Sequence, residues 1–299
     1  MGTGTYSIAK STDGITWTGV EGSNAIFSTG NDIAWNGMLW AAVGSGTNTQ
    51  AYSFDGENWT GLLNPVFRGV YGGAAIGQSI EWNGTYFLAV GGLSYLQGKS
   101  SDGINWTPNP IPNIPWSTGV ERAWGIAWSE QLSLWVGTGN AGSRPQPSTD
   151  GFTWTGSSGK SFSGSQGFGV AWNGSYFIAN GPTTILKSLD GSNWTKSSSQ
   201  PFTSGKAINA AWNDSLSLWV AVGNGTNTIV TSSDGETWTS IGSSPFTSGT
   251  GVGAKNTQIS SISIVLSETL TDITKIEFAS DTYNQFGILN TSVSIKTSN

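Results

Sequence analysis

Apolar and polar positions alternate along this chain in short runs closed by glycine-centred turns, and the alternation returns at a steady interval. Ile33-Ala34-Trp35 and Leu39 to Gly44, separated by Asn36-Gly37, have the period of two and the two-residue turn of a β-hairpin. The same unit recurs at Ile80 to Gly84, Ile126 to Trp128, Val170 to Gly174 and Ala210 to Asn213. Around Glu130 and Asp214 the Asn-Gly turn is replaced by a longer one ending Leu-Ser-Leu-Trp.

A second pattern, Ser-x-Asp-Gly-x-x-Trp-Thr, alternates with the first. Its six aspartates, Asp13, Asp55, Asp102, Asp150, Asp190 and Asp234, are separated by 42, 47, 48, 40 and 44 residues. An Asp at the head of a tight turn accepts backbone N–H groups that the strands leave unpaired, and the following Gly supplies the permissive backbone. The motif tryptophans, Trp17, Trp59, Trp106, Trp154, Trp194 and Trp238, are read as staples between layers, each burying about 200 Å², or about 5 kcal/mol gross. A third, weaker motif sets an aromatic residue shortly before Gly at Phe27, Phe67, Trp116, Phe162, Phe202 and Phe246.

The period suits a four-stranded blade, and the fold class expected is all-β: a six-bladed β-propeller. Each blade reads as the Ala-Trp strand, a hairpin, a second strand, a loop, a third strand, the Asp-Gly hairpin and a fourth strand. Five units are complete. The sixth blade is expected from both termini, with strands three and four near 5–18 and strands one and two within 252–267. Residues 1–267 form the propeller in this reading, and 268–299 add extra β strands or a small appendage.

The Ser-x-Asp-Gly-x-x-Trp pattern resembles the Asp box, or bacterial neuraminidase repeat, of sialidases and many other propellers. The familiar form has one residue between Asp and Gly, whereas here Gly follows Asp directly in all six copies. Likeness to sialidases implies three Arg on the substrate carboxylate, a Tyr–Glu pair and an Asp acid. This chain has three Arg in all, Arg68, Arg122 and Arg144, grouped in neighbouring units, and Arg68 lacks the expected Arg-Ile-Pro context. No catalytic residue is carried over. The Ser/Thr/Asn/Gly-rich repeats also resemble those of phage and algal-virus surface and fibre proteins.

Composition narrows the chemistry. With 12 basic and 18 acidic residues the net charge is −6, and no Lys/Arg cluster offers itself to a phosphate backbone, so nucleic acid is not an expected partner. Neither Cys nor His occurs, which removes thiolate ligands and the commonest general base; no metal or cofactor is expected. No apolar run has the length of a membrane span or a signal-peptide core, and no membrane insertion is expected. Fourteen of sixteen Trp fall in repeat columns, and the second-strand column of Trp40, Trp135 and Trp219 is shared with Phe87 and Phe177, which argues for core packing over sugar stacking. Eight N-x-Ser/Thr sequons, among them Asn58, Asn83, Asn105, Asn173 and Asn193, fall mostly where a turn wants Asn.

Strand direction puts the Asp-Gly hairpins on one face and the connectors between units on the other. The candidate ligand-binding residues lie on the connector face: Arg68, Tyr71, Tyr95, Trp116, Glu121, Arg122, Trp124 and Arg144. Aromatic planes with a few charged groups suit a sugar or peptide, and loops on a rigid scaffold are where function concentrates. The function expected is therefore a non-catalytic binding or display module for a glycan or cell-surface protein, outside the cell or on a virion surface, perched on a larger assembly. A structural virion or surface scaffold is the alternative, and a sialidase-like glycoside hydrolase the third.

Overall fold

A computed structural model describes the chain apart from residues 2, 12–15, 64, 68–74, 93–96, 110–122, 141–143, 165, 243–247, 249–251, 253–274, 281–290 and 297–299. It is an all-β molecule with one short helix among the described residues. Two compact units divide it, Met1–Lys255 and Asn256–Asn299. The boundary expected at 267/268 falls outside the described residues.

The first unit opens with a two-stranded ribbon, β1 (Ala9–Lys10) and β2 (Thr18–Gly19), and a single helical turn, α1 (Ser23–Ile26). A four-stranded antiparallel sheet follows: β3 (Thr29–Trp35), β4 (Trp40–Ser45), β5 (Gln50–Ser53) and β6 (Thr60–Gly61). The next is β7 (Ile76–Trp82), β8 (Phe87–Gly92), β9 (Gln97–Ser100) and β10 (Thr107–Pro108). The third holds only β11 (Ala123–Ser129), β12 (Leu134–Gly139) and β13 (Gln146–Ser148). After β14 (Ser158–Gly159) come β15 (Gly169–Trp172), β16 (Phe177–Gly181), β17 (Thr184–Ser188) and β18 (Asn193–Lys196). The fifth sheet is β19 (Ala207–Asn213), β20 (Leu218–Gly223), β21 (Ile229–Ser232) and β22 (Thr239–Gly242). In the second unit β23 (Lys275–Ser280) pairs antiparallel with β24 (Thr291–Lys296).

First strands lie side by side in the order β3, β7, β11, β15, β19, so they form the inner wall. Apolar clusters fill the spaces between successive sheets. Leu39, Ala41 and Val43 of one sheet, for example, meet Ile80, Phe87 and Ala89 of the next. The connector aromatics Phe27, Phe67, Phe162 and Phe202 are buried in these seams. Tryptophans of the first strands stack on the facing second-strand aromatic, with ring centroids 4.9 Å apart for Trp35–Trp40 and 4.4 Å for Trp172–Phe177. That is core packing by cross-strand pairs, as their interchange with Phe implies.

The third sheet corrects the expectation of four strands in every unit. Elsewhere the third and fourth strands exchange hydrogen bonds at the position of Tyr52 and Thr60. Here the third-strand residue is Pro147: Thr155 donates to its carbonyl at 3.0 Å, but Pro has no N–H to return. The chain leaves the sheet and crosses to the next, where β14 runs parallel to β18. Ser158 N donates to Ser192 O and Lys160 N to Trp194 O, covering the outer edge of that sheet.

The ribbon β1–β2 behaves as a third and fourth strand before the first sheet. Ile8 and Val20 pack with Phe27, Ala42 and Ala51, and Lys10 pairs with Glu57. Its Asp13, and residues 253–267 expected to complete the same blade, lie outside the described residues.

Candidate functional site

Five Ser-x-Asp-Gly turns are described, and they are alike. In the turn at Asp102, Ser100 Oγ donates to Asp102 Oδ1 at 2.9 Å and accepts Gly103 N at 2.8 Å. The same Oδ1 accepts Ile104 N and Asn105 N, while Gly103 sits at φ +73°. Trp106 Nε1 closes the turn on Gly103 O at 3.0 Å. Burial alone would raise the Asp102 carboxyl, but the hydrogen bonds of Asn105 and Ile104 outweigh it and hold the group at about 2. These carboxylates are occupied by the turn. Asn58, Asn105 and Asn193 are likewise engaged, each donating Nδ2 to the Asp of its own turn. Trp154 differs: its Nε1 reaches Gln97 Oε1 in the preceding sheet at 2.8 Å.

The opposite end of the inner wall is built otherwise. Four first strands carry a β-bulge there, which inserts Asn31, Gln78, Trp124 and Ile208 as extra residues. A bulge turns the extra side chain out of the pleat, and such bulges gather at rims and binding sites. Phe168, directly before β15, takes the equivalent place in the fourth sheet, its N–H donated to Asn180 O. The rim is thus amide on two sheets and apolar on three.

Trp124 is the candidate residue that belongs to this rim. Its Nε1 donates to Asn140 Oδ1 at 2.5 Å, and its ring meets Phe168 edge-on, centroids 6.0 Å apart at 74°. Lys206 Nζ stands 4.9 Å from the Phe168 centroid. Trp124 and Phe168 are half-buried and Lys206 is exposed. Arg144 has a different setting: its Nε donates to Gly159 O at 3.1 Å and secures the crossover to β14. Arg68, Tyr71, Tyr95, Trp116, Glu121 and Arg122 lie outside the described residues.

Sequence patterning misses two carboxyls of the inner wall. Asp32 accepts Ile33 N at 2.9 Å, Ser79 Oγ at 2.8 Å and Ile80 N at 2.9 Å, thereby capping the free strand edge of the next sheet. Burial raises it against those bonds. Glu81 accepts Trp128 N at 2.9 Å; burial pushes it to about 8, against that bond and with Asp32 adding to the rise. Aligning the repeats exposes Glu81, because Ala34, Ala127, Ala171 and Ala211 fill its column. Among the described residues no three His, Cys, Asp or Glu side chains gather as a metal site, and no helix is long and apolar enough to cross a membrane.

No family model and no curated protein matches the chain. Solved structures do. An ancestral GH74 enzyme aligns with TM-score 0.54 and 14% identity over 71% of this chain, which spans 31% of that enzyme's length. The nidogen/laminin complex aligns with TM-score 0.50 and 8% identity, covering 72% of this chain and 79% of that one. YCF48 bound to D1 peptide gives TM-score 0.49 and 17% identity, covering 76% and 71%. The neighbours are β-propeller proteins, and the likeness supports a propeller fold for this chain.

Proposed function

We propose that the chain is a non-catalytic binding module, working outside the cell or on a virion surface, that takes a glycan or a cell-surface protein at the bulged rim of its inner wall. The observation that carries this reading is the locked pair Trp124 and Phe168. Trp124 is fixed by Asn140 and braced on Phe168, so its ring loses little freedom on contact, and Lys206 stands over the Phe168 ring. Gln78 extends the rim with an amide suited to hydroxyls or peptide groups, and Asn31, whose Nδ2 donates to Gly77 O at 2.7 Å, adds its Oδ1 as an acceptor. A protein partner also fits the company of the fold, since the nidogen/laminin structure is a complex of proteins.

In this reading the propeller has six blades, with the ribbon β1–β2 joined by a strand pair from 252–267, and its turns are Asp boxes. The inner carboxyls do not recommend a hydrolase: both oxygens of Asp32 are taken up by hydrogen bonds, and no Arg among the described residues faces them.

The test is a glycan array, with a cell-surface binding assay beside it, on wild type and on Trp124→Ala/Lys206→Ala. Loss of binding with an unchanged melting curve supports the site. Equal binding by the folded variant removes it, and release of a cleaved sugar would make the protein an enzyme.

A further inference from the structure

The face that carries the Asp-Gly turns has a character that turn chemistry does not require. Ten large hydrophobic side chains are exposed among the described residues, and five of them, Met38, Phe54, Leu132, Leu189 and Leu216, stand at the tips of hairpins on this one face. Scattered exposed apolar residues are ordinary; repetition on a single face is not.

The repeats show what each tip needs. Between Ser and Asp, where Phe54 and Leu189 stand, the other copies have Thr12, Ser101, Thr149 and Ser233. After the Asn-Gly pair, where Met38 stands, the others have Thr85 and Ser175. Hydroxyl residues therefore serve these turns, which need no apolar side chain there; Phe54 meets Tyr52 edge-on, ring centroids 5.7 Å apart, and is still exposed. Leu216 is 69% exposed and Leu189 68%, so neither belongs to a seam between sheets.

Charge indicates what would cover them. The described turns on this face carry Asp55, Asp102, Asp150, Asp190 and Asp234, together with Glu57, Glu130, Asp214 and Glu236, half of the chain's 18 acids. Bases near them are few and engaged: Lys10 pairs with Glu57, Lys187 with Glu236, and Lys99 lies over the rings of Tyr86 and Phe152. An anionic face repels a copy of itself and an anionic membrane. Residues 256–299 are a poor complement too, with Glu268, Asp272, Glu277 and Asp281 against Lys275 and Lys296.

We infer that the Asp-Gly-turn face is a second interaction surface, one that docks a Lys/Arg-rich protein surface whose apolar pockets receive Phe54, Leu189 and Leu216. Apolar tips supply the buried contact, and the surrounding carboxylates orient the partner and set its rate of encounter. The module then has two working ends, one for its target and one for its carrier.

The probe is an amphipathic Lys/Leu peptide offered to the full chain, with a Glu/Leu peptide of the same pattern and an all-Lys peptide as controls. The expected result is that only the Lys/Leu peptide binds well. Phe54→Ser/Leu189→Ser/Leu216→Ser should weaken that binding roughly tenfold or more, and Glu130→Gln/Asp214→Asn should flatten its salt dependence. Leu189→Ser/Leu216→Ser serves if the triple variant does not fold. No binding, equal binding of the Glu/Leu peptide, or binding unaffected by the serine substitutions overturns the proposal. So does sedimentation of the wild type as a dimer that the serine variant abolishes, because a second copy would then hold the face. Binding at the Trp124 rim is read separately and stands or falls without this result.

Discussion

Trp135 donates its indole N–H to the hydroxyl of Tyr86 at 2.9 Å, across the seam between two successive blades, and the Tyr86 hydroxyl in turn donates to Asp150 O at 3.0 Å. Trp219 and Tyr176 repeat the arrangement two blades on, at 3.0 Å. Tyr86→Phe leaves the buried indole donor of Trp135 unmatched while keeping the ring. The expected loss is about 1–3 kcal/mol, read from urea unfolding; a change within error would mean that the seam is held by packing alone.

Asp102→Ala strands the N–H groups of Ile104 and Asn105, and stability should fall by about 1–3 kcal/mol with no change in ligand binding. If the variant keeps its melting temperature and loses a ligand or metal, the turn is a site. The wild type should also show the sign of a depressed carboxyl. The stabilisation is present above the ordinary value of 3.8 and is lost as pH falls through about 2, a trend acid titration of the folded fraction would detect.

Glu81 has the opposite sign. Its folded value near 8 lies above the ordinary 4.5, so the folded state holds a proton that the unfolded chain has released. That contribution is complete below pH 4.5 and disappears as pH rises through about 8. Glu81→Gln keeps an acceptor for Trp128 N and removes the titration. Melting curves of the two proteins should run together below pH 4.5, draw apart progressively between 4.5 and about 8 and stay apart above that, with the variant the more stable. Parallel curves across the range would show that Glu81 stays ionised.

Pro147→Lys restores an N–H where Lys99 and Lys187 stand in the neighbouring third strands. The new donor faces Thr155, and hydrogen exchange should report protection at residue 147 with a gain of about 1 kcal/mol. Fast exchange there would mean that the crossover, and not the missing donor, decides where the fourth strand goes.

Most of the architecture is legible in the repeat itself. Spacing of the six Asp-Gly turns, Asn-Gly hairpins and Trp columns predicts the strands, their order and the face each loop occupies, because every blade repeats one local solution. What stays hidden depends on single departures from that solution. Pro147 reads as one residue in a third strand, yet it redirects the following segment. The bulge that sets Trp124 on the rim is a one-residue slip in register, which composition cannot reveal. Strand polarity groups Arg144 with Trp124 because it assigns a face but not a position on it; the guanidinium serves Gly159 instead. Glu81 becomes visible only when columns are aligned, where one acid replaces alanine.

The parallel strand β14 gives one joint in the row of blades a strand-to-strand link. Blades three and four share backbone hydrogen bonds along β14 and β18, from Ser158 and Lys160, and the next joint is crossed by the isolated backbone bonds of Thr183 N to Gly205 O and Ser199 N to Glu236 O. In a chain pulled from its two ends, these two seams should be the last to open, so rupture under load starts elsewhere and blades three to five survive together.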